Sequence, residues 1–370
     1  GVPIMLFCFL CRFFFAAAAV AVVLILPGVQ ANSPSIRGAW SSNSSETKGT
    51  WDDVKSCLCP KSIPQPSKFG STLFKLARYE IGLNSAGRNE AEEEEFVQTF
   101  FRDPPKFSAY YRPPDGKISV IYIGNKKAAS TQIKEHFLSI GLNRDANRDI
   151  SSMNETQIAP DACVITAVRD PIERFLSGYS ELEHRTVTKA TYKGRVDKLP
   201  VRYKTHRIGE TRRFEQLVED FLSDPGFLSA RGEGQDYADL LRHMWGQTRI
   251  LTRLDDMGKR LTSYLPTISK ITEEWESFVV DNCPSAAEYI GSQPAPMEVT
   301  GQHHSSKDVF NFREAANSAW AERGPTARAL CALHAMDYAC FDRLPDGVHE
   351  LCAEVYSSRH FLDEIEKGCE

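Results

Sequence analysis

Lys127, Ser130 and Thr131 stand within five residues of one another, with Lys126 alongside. Two ammonium groups and two hydroxyls at that spacing suit an anion, especially where a helix begins and free backbone N–H groups and the helix dipole favour negative charge. A second group starts at Arg169 and runs Arg169-Asp170-Pro171-Ile172-Glu173-Arg174, with Ser177 and Tyr179 following. Arginine's fixed fork of donors suits a phosphate. Each group also has an ordinary reading: the first as a capped helix, the second as a helix start with Arg174 as a surface charge.

The elements that must position these residues are legible around them. Ile118, Val120, Ile121, Tyr122 and Ile123 form a short apolar run that predicts a strand covered on both faces. Gly124 and Asn125 break it. Ile133, Phe137 and Ile140 then recur at helical spacing, with Gly141 as a stop. Residues 143–159 are polar and read as a loop, and Cys163 to Val168 reads as a second apolar strand. Asp170 as N-cap, Pro171 at N1 and Glu173 closing a capping box predict a helix that turns Ile172, Phe175, Leu176 and Tyr179 inward. Strand, helix, strand, helix in this order predicts a parallel sheet with helices packed on it. Ligands gather at the carboxyl ends of such strands, where Lys127 and Arg169 both fall.

The two groups together resemble the Golgi-type carbohydrate sulfotransferases that use PAPS (3'-phosphoadenosine 5'-phosphosulfate). That family's 5'-phosphosulfate loop is similar to Lys126-Lys127-Ala128-Ala129-Ser130-Thr131, with Lys126 where proline is frequent. Its 3'-phosphate motif resembles Val168 to Tyr179. His243-Met244-Trp245-Gly246-Gln247 and Leu330 to Phe341 are similar to two weaker elements, with Gly246 in place of a proline and His334 in place of a tyrosine. The resemblance spans about residues 118–345 and implies a single α/β domain with a P-loop-like parallel sheet flanked by helices. It implies PAPS as donor co-substrate, bound by Lys127, Ala128, Ala129, Ser130, Thr131, Arg169 and Ser177, with Lys127 also catalytic. A Walker A site is excluded, because Ala129 replaces its second glycine and no Gly-Lys pair follows. No metal is implied, since sulfuryl transfer carries less charge than phosphoryl transfer.

The expected reaction moves the sulfuryl group to a glycan hydroxyl and releases 3',5'-ADP. Tyrosylprotein sulfation and a glycan-binding protein without turnover are the alternatives. Ser177, Glu181 and His184 share one helix face, and His184 is the expected general base because an imidazole titrates near neutral pH; His243 is the next candidate. From Arg185 to Arg213 there are ten Lys or Arg residues against two acids. That stretch reads either as a solvated loop or as the grip on a polyanionic glycan, with Tyr192 and Tyr203 available to stack on sugar rings. His303 and His304 read as a polar loop.

The whole chain of 370 residues carries a net charge of -5, so any basic surface is local, and its 42% hydrophobic content supports a sizeable core. Ile4 to Leu26 is apolar except for Arg12, and a helix that long would extend roughly 35 Å, enough to cross a bilayer. Residues 1–31 therefore read as a cleaved signal peptide or a signal anchor. The expected place is the Golgi membrane with a luminal catalytic domain, or the secreted fluid after cleavage; nucleic acid is not an expected partner. Beyond Cys8 and Cys11, eight cysteines remain, an even number that predicts disulfides in an oxidising compartment. Cys163 is also readable as a buried thiol, and Cys57-Leu58-Cys59 as a weak zinc pair. Asn43 and Asn154 begin sequons. Residues 32–70 read as a stem, 71–117 as a lead-in and 346–370 as a cysteine-containing extension.

Overall fold

The computed structural model describes residues 50–369, apart from 84–89, 103–106, 113–116, 140–142, 147–157, 189–204, 224–240, 285 and 288–309. The expected targeting segment, Asn43, Asn154, Tyr192, Tyr203, His303 and His304 lie outside the described residues. The chain divides into two units, Gly1–Thr47 and Lys48–Glu370, and the described residues belong to the second. No helix among them is long and apolar enough to cross a membrane.

The second unit is mixed α/β. Strands β1 (Phe107–Arg112), β2 (Lys117–Ile123), β3 (Asn143–Ala146), β4 (Ile158–Ala167) and β5 (Ser263–Leu265) form one sheet in the order β3-β1-β2-β4-β5. β2, β4 and β5 run parallel, in register Tyr122 to Ile165 and Ile165 to Ser263. β1 is antiparallel to both β2 and β3. The parallel centre matches the sequence reading, and the antiparallel side corrects it: residues 107–112 fall in the expected lead-in and 143–146 in the expected loop, yet both pair as strands. β1 pairs with β2 and β3 with β1, through backbone groups that need no apolar pattern; β3, Asn-Arg-Asp-Ala, has none, and β1 stands between prolines that mark irregular chain.

Alternation along β2 explains why both faces are covered. Val120 and Tyr122 pack with Ile133 and Phe137 of α4 (Ser130–Ser139) and with Trp275 and Val279 of a later helix (Ile271–Asn282). Ile121 and Ile123 face the other way, onto Ile250 and Leu254 of the helix Arg249–Asp256. A larger helical core adjoins the sheet, where α5 (Pro171–Thr188) packs with the helices Thr211–Ser223 and Phe312–Ala321.

From residue 50 onward the expected stem is part of this core, and so is the extension. Residues 51–58 form helix Trp51–Leu58 and residues 66–80 form Pro66–Glu80, while Glu350–Tyr356 and Arg359–Cys369 lie at the far end of the chain. Four disulfides cross-link the unit: Cys57 to Cys369, which joins its two ends, and Cys59 to Cys340, Cys163 to Cys283 and Cys331 to Cys352. Cys163 is therefore no free thiol, and the sulfurs of Cys57 and Cys59 are each bonded to a distant cysteine rather than poised for zinc. A short polar segment tied down covalently shows no apolar period of its own.

Candidate functional site: an anion cradle at the ends of two parallel strands

Between Ile123 and Ser130 the chain makes one tight loop. Lys127 and Ala129 have φ of 64° and 52°, whereas Lys126, Ala128 and Ser130 do not have positive φ. Alternation of that kind turns successive backbone N–H groups toward one concavity that attracts anions. It costs each residue with a Cβ about 1–2 kcal/mol, so the surroundings must impose it.

Asn125 and Arg174 do so. Asn125 is fully buried; its Nδ2 donates to Ala167 O at 3.2 Å and to Gln247 Oε1 at 2.6 Å. Arg174 Nε donates to Asn125 Oδ1 at 3.1 Å and to Lys126 O at 2.9 Å, and its other nitrogens reach Trp245 O and Arg242 O. Arg174 is thus no surface charge: it is completely buried under the loop. Burial first, then neighbouring Arg249, pushes its guanidinium pKa down to about 9, against the opposing pull of Asp337.

Gln247 fastens the second strand end to the first. Its Oε1 also accepts from Arg169 N at 3.1 Å, and its Nε2 donates to Arg169 O at 2.7 Å. Asp170 accepts from Glu173 N at 2.8 Å, which is the predicted N-cap, and from Tyr338 OH at 2.6 Å. Glu173 does something other than close a capping box, since its carboxylate takes Arg169 at 3.2 Å and Arg313. Asp337 accepts from Thr248 N at 2.8 Å and sits 2.8 Å from His334 Nδ1. The four stretches singled out in the sequence therefore meet in one network of hydrogen bonds.

Lys127 reaches across to α5, where its Nζ lies 2.8 Å from Glu181 Oε2; the other oxygen of Glu181 takes Arg185. Burial, opposed by Glu181, lowers the Lys127 pKa, with Arg185 and Arg169 adding to the fall. Burial would raise the Glu181 carboxyl, but Lys127, then Arg185 and His243, bring it down to about 2. Arg169 is thereby close enough to Lys127 for its charge to be felt. Ser177 stands one turn before Glu181 and His184 three residues after it, both half-buried on that face. Ser130 is half-buried in the first turn of α4, beside buried Ala128 and half-buried Ala129; the side chain of Thr131 lies outside the described residues.

The structure thus brings Lys127 and Arg169 together, and it puts Glu181, rather than His184, in contact with Lys127. Arg174 and Gln247 were visible in the sequence only as members of motifs, and Asn125 only as a strand breaker, with no sign of their buried ties. The basic stretch changes character where it is described. Arg213 is buried against Glu183 at 2.9 Å, Arg212 meets Glu219 at 2.8 Å, and Arg185 holds Glu181, so these three are internally paired. Residues 189–204 lie outside the described residues.

The class this defines is a mixed α/β protein in which the loop of Lys127 and the helix start of Arg169 meet at the carboxyl ends of parallel strands, where such folds gather ligands. No protein-family model, curated relative or solved structure matches the chain.

Proposed function

We propose that the chain is a PAPS-dependent sulfotransferase, moving a sulfuryl group to a glycan hydroxyl and releasing 3',5'-ADP. The observation that supports this reading best is the pairing of the Lys127 loop with Arg169 at adjacent strand ends, each held by the same glutamine. An anion with two charged ends needs two such points. Lys127, Ser130, Thr131 and the N–H groups of the loop meet the charge that develops on the leaving phosphate oxygen. Arg169 and Ser177 hold the 3'-phosphate. Among the groups on α5, Glu181 is the nearest proton acceptor to Lys127. Once an anionic donor takes over the ammonium, the Glu181 carboxylate is released beside the reacting centre, free to accept the proton of the acceptor hydroxyl. His184 is the alternative base. The disulfides fit an oxidising lumen, and we place the enzyme in the Golgi, acting on a polyanionic glycan.

Transfer from radiolabelled PAPS to desulfated glycosaminoglycans, algal-type polysaccharides and tyrosine peptides tests the reading. Lys127→Ala is expected to lower the rate about 100-fold or more, and Arg169→Ala to weaken 3',5'-ADP about tenfold or more by calorimetry. Wild-type transfer by the first variant, or unchanged affinity in the second, defeats the proposal. Comparing Glu181→Gln with His184→Gln assigns the base to whichever change removes kcat while leaving 3',5'-ADP binding intact.

A further inference from the structure

Beside the edge strand β5 lies a second cavity of about 480 Å³, and none of its lining belongs to the Lys127 site. Leu251, Leu254 and Phe341 give it an apolar floor, while Lys61, Lys259, Arg260 and Arg343 stand around it. One carboxylate, that of Asp342, lines it against these four cations, and it already accepts from Tyr264 OH at 3.1 Å. Arg260 is paired with Asp255 at 2.6 Å. Lys61, Lys259 and Arg343 have no carboxylate partner among the described residues.

The walls are built rather than incidental. The Cys59–Cys340 disulfide ties together the two segments that carry Lys61 and Arg343. Lys61 and Ser62 are consecutive left-handed residues, with φ of 51° and 61°, a conformation that residues with a Cβ avoid unless it is imposed. Arg343 lies 4.2 Å from the Tyr264 ring and donates to Ser263 Oγ and Tyr264 O, both at 3.2 Å. Those bonds engage one nitrogen of its fork and leave the remaining donors for a ligand.

We infer that this cavity binds an organic oxyanion of about disaccharide size, with its sulfate or carboxylate group on the cationic rim and its carbon frame on the leucine floor. The volume falls in the usual range for small-molecule sites, roughly 300–1,000 Å³. Such a group has two sources, a free small anion or one unit of a polyanionic chain.

Calorimetry on the folded luminal chain with a sulfated chondroitin disaccharide, and with neutral lactose as control, tests the inference. Saturating 3',5'-ADP and the Lys127→Ala background keep the outcome separate from the sulfuryl-transfer reading. Heat is expected from the sulfated sugar alone, weakened about tenfold or more by the double change Lys61→Glu and Lys259→Glu, and weakened by added salt. Lys259→Glu alone, checked for an unchanged melting temperature, guards against a folding defect. Competition by a sulfated dodecasaccharide at equal disaccharide concentration assigns the site to a chain unit, and failure to compete assigns it to a free anion. Absence of heat with wild type, equal binding of lactose, or variants that bind like wild type would overturn the inference.

Discussion

His349 sits 3.1 Å from Asp170 Oδ1, so a titratable residue late in the chain touches the N-cap of α5. The Asp170 carboxylate raises the His349 pKa against the effect of burial. Protonated His349 therefore favours the folded state. Its contribution is complete below the unfolded imidazole value of about 6.5 and is lost as pH rises through the higher folded value. His349→Gln is expected to destabilise by up to about 1 kcal/mol at pH 6, and by less at pH 9; equal melting shifts at the two pH values would refute this. No spacing in the sequence announces the pair, because 179 positions separate the two residues along the chain. Lys127 and Arg169, by contrast, were legible because local chemistry marks them: lysine and hydroxyls before a helix, arginine before Asp-Pro. Glu181 was legible in part, through its helical spacing from Ser177. That it would hold Lys127 was not, since helix periodicity assigns a face and not what lies across from it.

At the scale of elements, α5 is where the fold and the site depend on each other. Its Arg174 pins the loop, its Glu181 meets Lys127, and its Gly178 makes room for the segment that carries Gln247. A Cβ at Gly178 would lie 2.6 Å from His243 O and 2.8 Å from the Met244 side chain. Gly178→Ala is expected to cost about 1–3 kcal/mol and to loosen both strand ends by displacing Gln247; a melting temperature equal to wild type would show that the contact yields freely. The apolar strands and α5 could be read directly, since burial on both faces and helical periodicity leave strong patterns. β1 and β3 could not, because short antiparallel strands on one side of a sheet are specified by their backbone partners. Helix Trp51–Leu58 was hidden for another reason: within its eight residues only Val54 and Leu58 are buried, too few to establish a period.

The whole unit is closed by cross-links between its extremes. Cys59 and Cys340 enclose most of the described chain, and cross-links over such long loops stabilise by about 2–5 kcal/mol, chiefly by restricting the unfolded state. Cys59→Ser with Cys340→Ser is expected to lower the denaturation midpoint accordingly, without a comparable change in 3',5'-ADP affinity, which urea titration and calorimetry would check. An unchanged midpoint would mean that the bond is dispensable. Cysteine number forecast bonding in general, and pairing waited on the fold. The Cys57–Cys369 bond also sets a mechanical path through the protein. A pull applied at residues 50 and 369 runs from the first helix straight through that sulfur bridge, so the sheet and the cradle between them carry no tension. In a force-extension experiment the oxidised protein would stretch hardly at all, and only a reductant would let the load reach the strands that hold Lys127 and Arg169.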